Sequence, residues 1–467
     1  MGYLRGLSRG KLAVWTSLGA ALACTGAMAV PGATRAQATP IRHVVVIYLE
    51  NHSFDNLLGF WCDTQRGRCP DGGLPSFVQL SNGAVVTPGT TPDTVPAIEH
   101  SVAAQAAAID GGRMDGWQNI PDGSCAAAAG YRCISGYQPS QVPNITTLAQ
   151  DFAISDRTFS MGDSASWAGH MDMVAASADS FYGDNPHRAK GIAHGPGWGC
   201  DSNKVTPWVA PSGRVQSVPS CVPAHLPGLR FGGAFEQTPV KPMSTIMDRL
   251  DAAGLSWKLY GANSTQDGYD WSICPTFAQC LDTRQAANLV PDSQFTADAL
   301  LGSLPAFSVV TPGGPDFADS CHNGVSITAC DNWVGQLVGA VEHGPDWRST
   351  AVFITWDDCG CFYDQVRPGV NPDGTAQGPR VPLIIVSPYA RPGYTDTTAT
   401  TFAGILAYTE HTFGLSALGV NDSAAYSFAN AFNYSQQPVK PVRMTHRPLP
   451  ESAERIHLTR ALENDPT

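Results

Sequence analysis

The sequence predicts an α/β sandwich in which a central, mostly parallel β-sheet carries helices on both faces. Short apolar runs rich in β-branched residues alternate along the chain with segments of helical periodicity, and this alternation is typical of α/β proteins. The apolar runs do not alternate with polar residues, so they suit strands that are buried on both faces, as in a parallel sheet.

Four strands are predicted, each bounded by turn residues or charges: His43–Leu49, Ala306–Val310, Ala351–Trp356 and Leu383–Ser387. Five helices are predicted around them: Ile145–Phe152, His170–Ala178, Met243–Ala253, Trp333–Glu342 and Phe402–Phe413. Gly- and Pro-rich stretches near 60–95, 183–240 and 260–300 indicate long loop insertions or a small cap. Because no linker separates independent units, a single domain is expected over 39–467.

The charge balance argues against one class of partner. The 467 residues include 28 Lys and Arg against 40 Asp and Glu, a net charge of −12. Such a surface repels phosphate backbones, so binding to nucleic acid is not expected. An anionic substrate would need local neutralisation by a metal ion or by converging Arg and His side chains. The oligomeric state stays open.

The first 38 residues have the order of a secretory signal peptide. Arg5, Arg9 and Lys11 precede an apolar stretch from Leu12 to about Val30, and Ala36-Gln37-Ala38 suits cleavage at its end. The alternative is a single membrane anchor. No later segment reaches the roughly 18 uninterrupted apolar residues of a spanning helix. We therefore predict a signal peptide over 1–38 and an exported mature chain, secreted or periplasmic, without stable membrane insertion.

Twelve cysteines follow this segment, and an even number in an exported chain predicts disulfides. Pairing of close neighbours gives Cys62/Cys69, Cys125/Cys133, Cys200/Cys221, Cys274/Cys280, Cys321/Cys330 and Cys359/Cys361. The last pair is the least favourable, because one intervening residue makes a strained ring. A zinc–thiolate site is the alternative, but the chain has no Cys-x2-Cys pair or Cys/His ligand spacing.

Two predicted strands end in clusters of oxygen ligands. Glu50-Asn51 follows the first strand and Asp357-Asp358 follows the third. In open α/β sheets, ligands bind beyond the carboxyl ends of the strands, and oxygen donors suit magnesium, calcium, manganese or iron. A pair of aspartates is more often a solvated turn or a helix cap. Two matching clusters favour a single divalent metal site.

Four blocks of the sequence, in this order, resemble the bacterial phosphoesterase family that holds phospholipases C and acid phosphatases. They are His43–Asp55; Glu99–Ser101 with Gly111–Trp117; Ala165–Met171; and Thr355–Val366 followed by Arg380–Tyr389. The resemblance spans about 41–425, and the combination of blocks is specific although no single block is.

The resemblance implies an alkaline-phosphatase-like fold and a metal-dependent phosphoric ester hydrolase. The implied metal ligands are Glu50, Asn51, Asp357 and Asp358. Ser166 is the implied nucleophile, which would form a phosphoseryl intermediate. A helix N-terminus favours an approaching phosphoryl group, and a cation would lower the pKa of the hydroxyl. Without the resemblance, a capping role would be the better interpretation of this serine.

Three histidines are further catalytic candidates. His100 lies in a matched block and His322 follows Cys321; either could bind the phosphoryl oxygens or protonate the leaving group. A lone histidine is more often a hydrogen-bonded structural residue. His170 is expected to orient the nucleophile turn, and Asp364 to hold a ligand or a histidine in place.

The sequence departs from the family's pattern in three places. Gly360-Cys361 stands where Gly-Gly is usual, Gln365 replaces a common histidine, and another histidine is missing from Gly393–Thr397. These departures leave the metal ligands in place but put the leaving-group machinery in doubt.

The resemblance implies that the substrate is a small phosphate ester or a phospholipid. The chain ends about 40 residues after the last matched block, without the long extension expected of larger phospholipases C, which favours an acid-phosphatase-like enzyme. The alternatives are a phospholipase C acting on phospholipid head groups, with Trp61, Trp117, Trp167 and Trp198 lining its pocket, and a non-catalytic exported ligand-binding protein on the same scaffold.

Overall fold

A mixed eight-stranded sheet lies at the centre of the computed structural model, which describes residues 39–65, 67–226, 238–314 and 317–450. Its strands are β1 (His43–Leu49), β2 (Ala153–Ser155), β3 (Trp257–Tyr260), β4 (Leu289–Val290), β5 (Phe307–Val310), β6 (Thr350–Trp356), β7 (Leu383–Val386) and β8 (Thr395–Asp396). The strand order is β4-β3-β5-β1-β6-β7-β2-β8. All neighbours run parallel except β7, which is antiparallel to both β6 and β2. The predicted signal peptide lies outside the described residues.

Ten α-helices accompany the sheet in the described part of the chain. They are α1 (Phe54–Thr64), α2 (Val102–Ile109), α3 (Pro143–Asp151), α4 (Ser166–Ala175), α5 (Ile246–Ala253), α6 (Ala278–Leu281), α7 (Ser293–Leu301), α8 (Ile327–His343), α9 (Ala403–Phe413) and α10 (Val420–Ala424). Short strands pair outside the main sheet at Val78–Gln79, Val85–Val86, Gly89–Thr90, Ser135–Gly136, Thr158–Phe159, His187–Arg188, Lys204–Val209, Val215–Pro219 and Thr400–Thr401. None of the helices in the described ranges is long and apolar enough to cross a bilayer.

Helices cover both faces of the sheet. The Tyr48 hydroxyl donates to the Gly169 carbonyl of α4 at 2.8 Å, and the Phe353 ring packs on Tyr408 of α9 with centroids 5.0 Å apart. A second helix group, α3, α7 and α8, packs together, and α3 contacts β2 and β7. Every residue of β6 is buried, which requires cover on both sides. The predicted three-layer α/β architecture is confirmed.

The four predicted strands match the structure to within one residue at each end. Strands β2, β3, β4 and β8 were not predicted, because they are only two to four residues long and so give little pattern. The helix predicted at His170–Ala178 instead begins at Ser166 and ends at Ala175. All ten of its residues are buried, so it has no amphipathic stripe that would mark its bounds.

Five of the six predicted disulfides are confirmed, namely Cys62/Cys69, Cys125/Cys133, Cys200/Cys221, Cys274/Cys280 and Cys321/Cys330. The sixth is wrong, because Cys359 and Cys361 are buried free thiols. Gly360 and Cys361 both have left-handed backbone conformations, with φ of 54° and 48°. The Cys361 amide donates to the Cys359 sulfur at 3.1 Å, so a hydrogen bond closes this turn without a covalent bridge.

A buried ion-pair network joins the first turn of α1 to the chain beyond β6. The Arg380 guanidinium donates to Asp55 at 2.8 Å and to both oxygens of Asp364 at 3.1 Å, and all three residues are fully buried. Burial, together with repulsion from Asp364, raises the pKa of Asp55 to about 8. Asp364 therefore holds Arg380, where the sequence had suggested a ligand or a histidine.

Replacement of Arg380 by Met should lower the free energy of unfolding by about 3–5 kcal/mol, because two buried carboxylates would lose their only guanidinium in the network. Urea unfolding followed by tryptophan fluorescence measures the change. Arg214→Met, at an exposed position, is the matched control and should change stability by less than about 0.5 kcal/mol. Equal effects of the two substitutions would contradict a structural role for the network.

Alkylation of the unreduced, denatured chain should modify Cys359 and Cys361 and leave the ten bridged cysteines unmodified. Peptide mass mapping reads this directly, and a reduced sample labelled on every cysteine is the control. An unlabelled Cys359–Cys361 peptide with the mass of an internal disulfide would restore the sixth bridge.

Candidate active site

Strand register brings the two acidic strand ends together. In the parallel pair of β1 and β6, Leu49 lies opposite Trp356. The Asp357 amide continues the ladder by donating to the Leu49 carbonyl at 2.9 Å. Glu50 and Asp357 therefore leave the sheet side by side. The backbone amide of Asn51 then donates to Asp357 Oδ1 at 2.9 Å, which ties the two ends to each other.

A tight turn after β6 fixes the second aspartate. Asp358 Oδ1 accepts a hydrogen bond from the Gly360 amide at 2.6 Å. Gly360 has φ of 54°, and a Cβ at this position would lie 2.3 Å from the Asn51 carbonyl oxygen. Only glycine fits this close approach of the two strand ends. Packing therefore requires a glycine at position 360.

The predicted nucleophile lies at the first turn of α4 and points into this cluster. Ser166 is fully buried, and its hydroxyl donates to Glu50 Oε2 at 2.8 Å. It does not cap the helix. The amide of Trp167 is instead satisfied by Asn185 Oδ1 at 2.9 Å, while Ala165 precedes the helix and has no capping side chain. Asn185 was missed from the sequence because it lies on a separate loop.

His170 faces the same glutamate from the next turn of the helix. Its Nε2 lies 2.9 Å from Glu50 Oε1, and its Nδ1 lies 2.8 Å from the Trp271 carbonyl oxygen. Burial lowers the pKa of His170, so the neutral ring is favoured, with its proton on the Nδ1 that faces the carbonyl. The lone pair of Nε2 then points at a carboxylate oxygen, an arrangement that a bridging cation would stabilise.

The acidic cluster fits a divalent cation. Glu50, His170 and Asp357 each offer a ligand atom, these atoms lie within 4.8 Å of one another, and all three residues are buried. Asp357 Oδ2 has no hydrogen-bond partner in the described structure. Burial and the charge of Glu50 raise the pKa of Asp357 to about 7. A cation would supply the missing partner and offset the repulsion. His170, predicted to orient the turn, thus lies within the ligand cluster.

The Asn51 amide lies between two acids and two histidines. One of its terminal atoms is 3.3 Å from Oδ1 of both Asp357 and Asp358; the other is 2.8 Å from His322 Nε2 and 3.3 Å from His100 Nε2. Each ring presents its Nδ1 to a backbone carbonyl, at 2.8 Å for His100 and 3.1 Å for His322. In the neutral rings Nε2 is then an acceptor. The Asn51 side chain therefore links the two carboxylates to the two histidine rings.

The structure thus brings together all eight residues singled out in the sequence: Glu50, Asn51, His100, Ser166, His170, His322, Asp357 and Asp358. None of them is more than 3% exposed. A serine hydroxyl, carboxylates and imidazoles gathered beyond the carboxyl ends of a parallel sheet are typical of metal-assisted hydrolases.

The chain belongs to the Phosphoesterase family, whose model matches residues 41–416. The resemblance noted in the four sequence blocks is thereby confirmed across most of the chain.

Curated relatives have names that specify a phospholipase C. Non-specific phospholipase C1 of Arabidopsis thaliana is 25% identical over 389 residues, covering 76% of this chain and 62% of its own length. The non-hemolytic phospholipase C of Pseudomonas aeruginosa is 22% identical, covering 87% and 60%, and phospholipase C B of Mycobacterium tuberculosis is 24% identical, covering 76% and 69%. The chain spans about three fifths of the length of the first two.

Among solved structures, an alkaline phosphatase superfamily protein from Vibrio parahaemolyticus aligns over 60% of this chain and 62% of its own. The sequence identity is 12% and the TM-score is 0.31. At so low a score the fold assignment rests on the sheet described above.

Replacement of Asp357 by Asn should weaken divalent-metal binding at least about tenfold, because the cluster would lose a charge and the open oxygen Oδ2. Titration calorimetry on chelator-treated protein, with magnesium, calcium, manganese, iron(II) and zinc in turn, measures the affinity. The exposed Asp63→Asn is the control. If both variants bind metal as tightly as the parent chain, the metal site lies elsewhere.

Proposed function

We propose that the mature chain is an exported, metal-dependent phosphoric ester hydrolase in which Ser166 attacks phosphorus. The observation that carries this proposal is the 2.8 Å hydrogen bond from the Ser166 hydroxyl to Glu50 Oε2, inside the acidic cluster. The family and the five disulfides support it.

The proton path begins at this hydrogen bond. The Ser166 hydroxyl donates a hydrogen bond to Glu50 Oε2, which accepts the proton as the Oγ–P bond forms. The bond from phosphorus to the leaving oxygen breaks in the same step. Glu50, Asn51, Asp357 and Asp358, with His170, would hold a divalent cation, which when bound lowers the pKa of the hydroxyl and offsets the charge of the phosphoryl oxygens. Water then hydrolyses the phosphoseryl group and restores the serine.

His100 and His322, which lie next to Asn51, would act on the phosphoryl oxygens or on the leaving group. His100 and His322 place their Nε2 atoms against the same Asn51 amide, with ring centroids 5.9 Å apart. A protonated ring there can donate to a phosphoryl oxygen or give its proton to the leaving oxygen. His100 and His322 would thus act as general acids, although two histidines common in the family are missing from this chain.

The geometry favours a compact phosphate monoester, as an acid-phosphatase-like enzyme would take. The site residues are at most 3% exposed, and Trp61, Trp117, Trp167 and Trp198 are packed in the hydrophobic core, so they do not form an open lipid pocket. A phospholipid head group is the second candidate, and the names of the curated relatives favour it.

Ser166→Ala should reduce turnover of p-nitrophenyl phosphate by at least about 10³-fold, because it removes the hydroxyl that donates to Glu50 Oε2 and would attack phosphorus. Metal binding, measured by calorimetry, should persist. Ser308→Ala is the matched control, since Ser308 is also a buried serine and its hydroxyl has no partner in the described structure. Residual turnover near the parent rate would exclude Ser166 as the nucleophile.

A paired assay separates the substrate classes. Hydrolysis of p-nitrophenyl phosphate and p-nitrophenyl phosphorylcholine would be compared across pH, with and without chelator and metal add-back. Faster monoester hydrolysis supports the phosphatase, and faster diester hydrolysis supports the phospholipase C. No turnover of either by folded, metal-loaded protein would indicate a non-catalytic ligand-binding protein.

A further inference from the structure

The two histidines of the site come from distant parts of the chain and share a neighbour, Asn323. His100 precedes α2, whereas His322 follows β5. The Asn323 side chain lies 3.3 Å from the His100 ring at Nδ1, across 223 residues of sequence, and it directly follows His322. Asn323 is 3% exposed, so water does not compete for its hydrogen bonds.

Asn323 contacts both carbonyls that hold the rings. His322 donates from Nδ1 to the backbone carbonyl of Asn323 itself at 3.1 Å. His100 donates from Nδ1 to the Ile98 carbonyl at 2.8 Å, and the Asn323 amide donates to that same carbonyl at 3.0 Å. Asn323 thus supplies the carbonyl that His322 binds, and its side chain hydrogen-bonds to the Ile98 carbonyl that His100 binds.

The backbone around Asn323 is held in place. The Cys321/Cys330 disulfide ties Cys321, two residues before Asn323, to α8. The Gly324 amide donates to the Val95 carbonyl at 2.8 Å, which attaches the following residue to the segment that leads to His100. Asn323 Oδ1 finds no hydrogen-bond partner in the described ranges. Only the donor end of this buried amide is used, and that end faces the Ile98 carbonyl, to which His100 also donates.

We infer that Asn323 is a positioning residue that sets the tautomer and orientation of both histidines. With Nδ1–H bound to a carbonyl, each ring turns its Nε2 toward Asn51 and the space where a phosphoryl group would react. The inference rests on the proposed function, in that the two rings are taken to act on the phosphoryl or leaving oxygen. Asn323 itself need not touch the substrate.

Asn323→Leu keeps the side-chain volume and removes the donor. At saturating metal it should lower kcat for p-nitrophenyl phosphate about 10–100-fold, with KM changed much less. In a His100→Ala/His322→Ala background, whose residual rate the good leaving group keeps measurable, the same substitution should have no further effect. A second variant, Asn323→Ala, gives the same comparison should the Leu variant fail to fold by circular dichroism.

Asn332→Leu is the matched control. Asn332 is also a buried asparagine that hydrogen-bonds to backbone, but its partner is Arg447, so kcat should stay at the parent value. A loss of kcat by the Asn323 variants that is equally large without the histidines would overturn the inference, because the residue would then act through something else.

A spectroscopic arm does not depend on turnover. Long-range proton–nitrogen NMR on ring-labelled histidines should show His100 and His322 as Nδ1–H tautomers in the parent chain, with His100→Ala and His322→Ala providing the assignments. Asn323→Leu should shift His100 toward a mixture. Unchanged tautomers would overturn the positioning role. A tautomer response in a chain that hydrolyses no phosphate ester would instead reject the proposed function and leave the positioning intact.

Discussion

The burial of several carboxylates at the ends of two adjacent parallel strands is the constraint on which the rest of the structure depends. The register of β1 against β6 places Glu50 beside Asp357, and both are fully buried. Charges removed from water in this way are unstable unless they are neutralised or paired. The raised pKa of Asp357 expresses that cost. The hydroxyl, imidazole and amide groups around the cluster are arranged so that a cation can offset it.

The molecule handles two neighbouring acidic clusters in different ways. Asp55 and Asp364 share the buried guanidinium of Arg380, which makes that cluster a structural brace between α1 and the chain beyond β6. In the other cluster, Glu50 and Asp357 lie beside His170, whose Nε2 lone pair is directed at Glu50. Residues of the same sequence blocks therefore divide into a group that fixes the strand ends and a group that is available for chemistry.

Much of the site was predictable from sequence because its parts are local. Strand β1 and the residues that follow it form one continuous block, as do β6 and its two aspartates, so an apolar run followed by acids marks both. Five disulfides were predictable for the same reason, since each joins close neighbours. The Cys359/Cys361 pair failed because its left-handed turn is closed by a hydrogen bond, and backbone conformation of this kind leaves no signal in residue spacing.

The sequence by itself determined the sheet's main strands, the acidic strand ends, the serine at a helix start and the family, because these depend on short contiguous patterns. Only the tertiary structure decided that Asn185 caps α4, that His170 lies beside Glu50 and Asp357, and that Asn323 shares the Ile98 carbonyl with His100. The Asn323 amide and the Ile98 carbonyl are 225 residues apart. A hydrogen bond over that separation depends on how loops pack, and the energy of packing is distributed over the whole fold, so no local pattern encodes it.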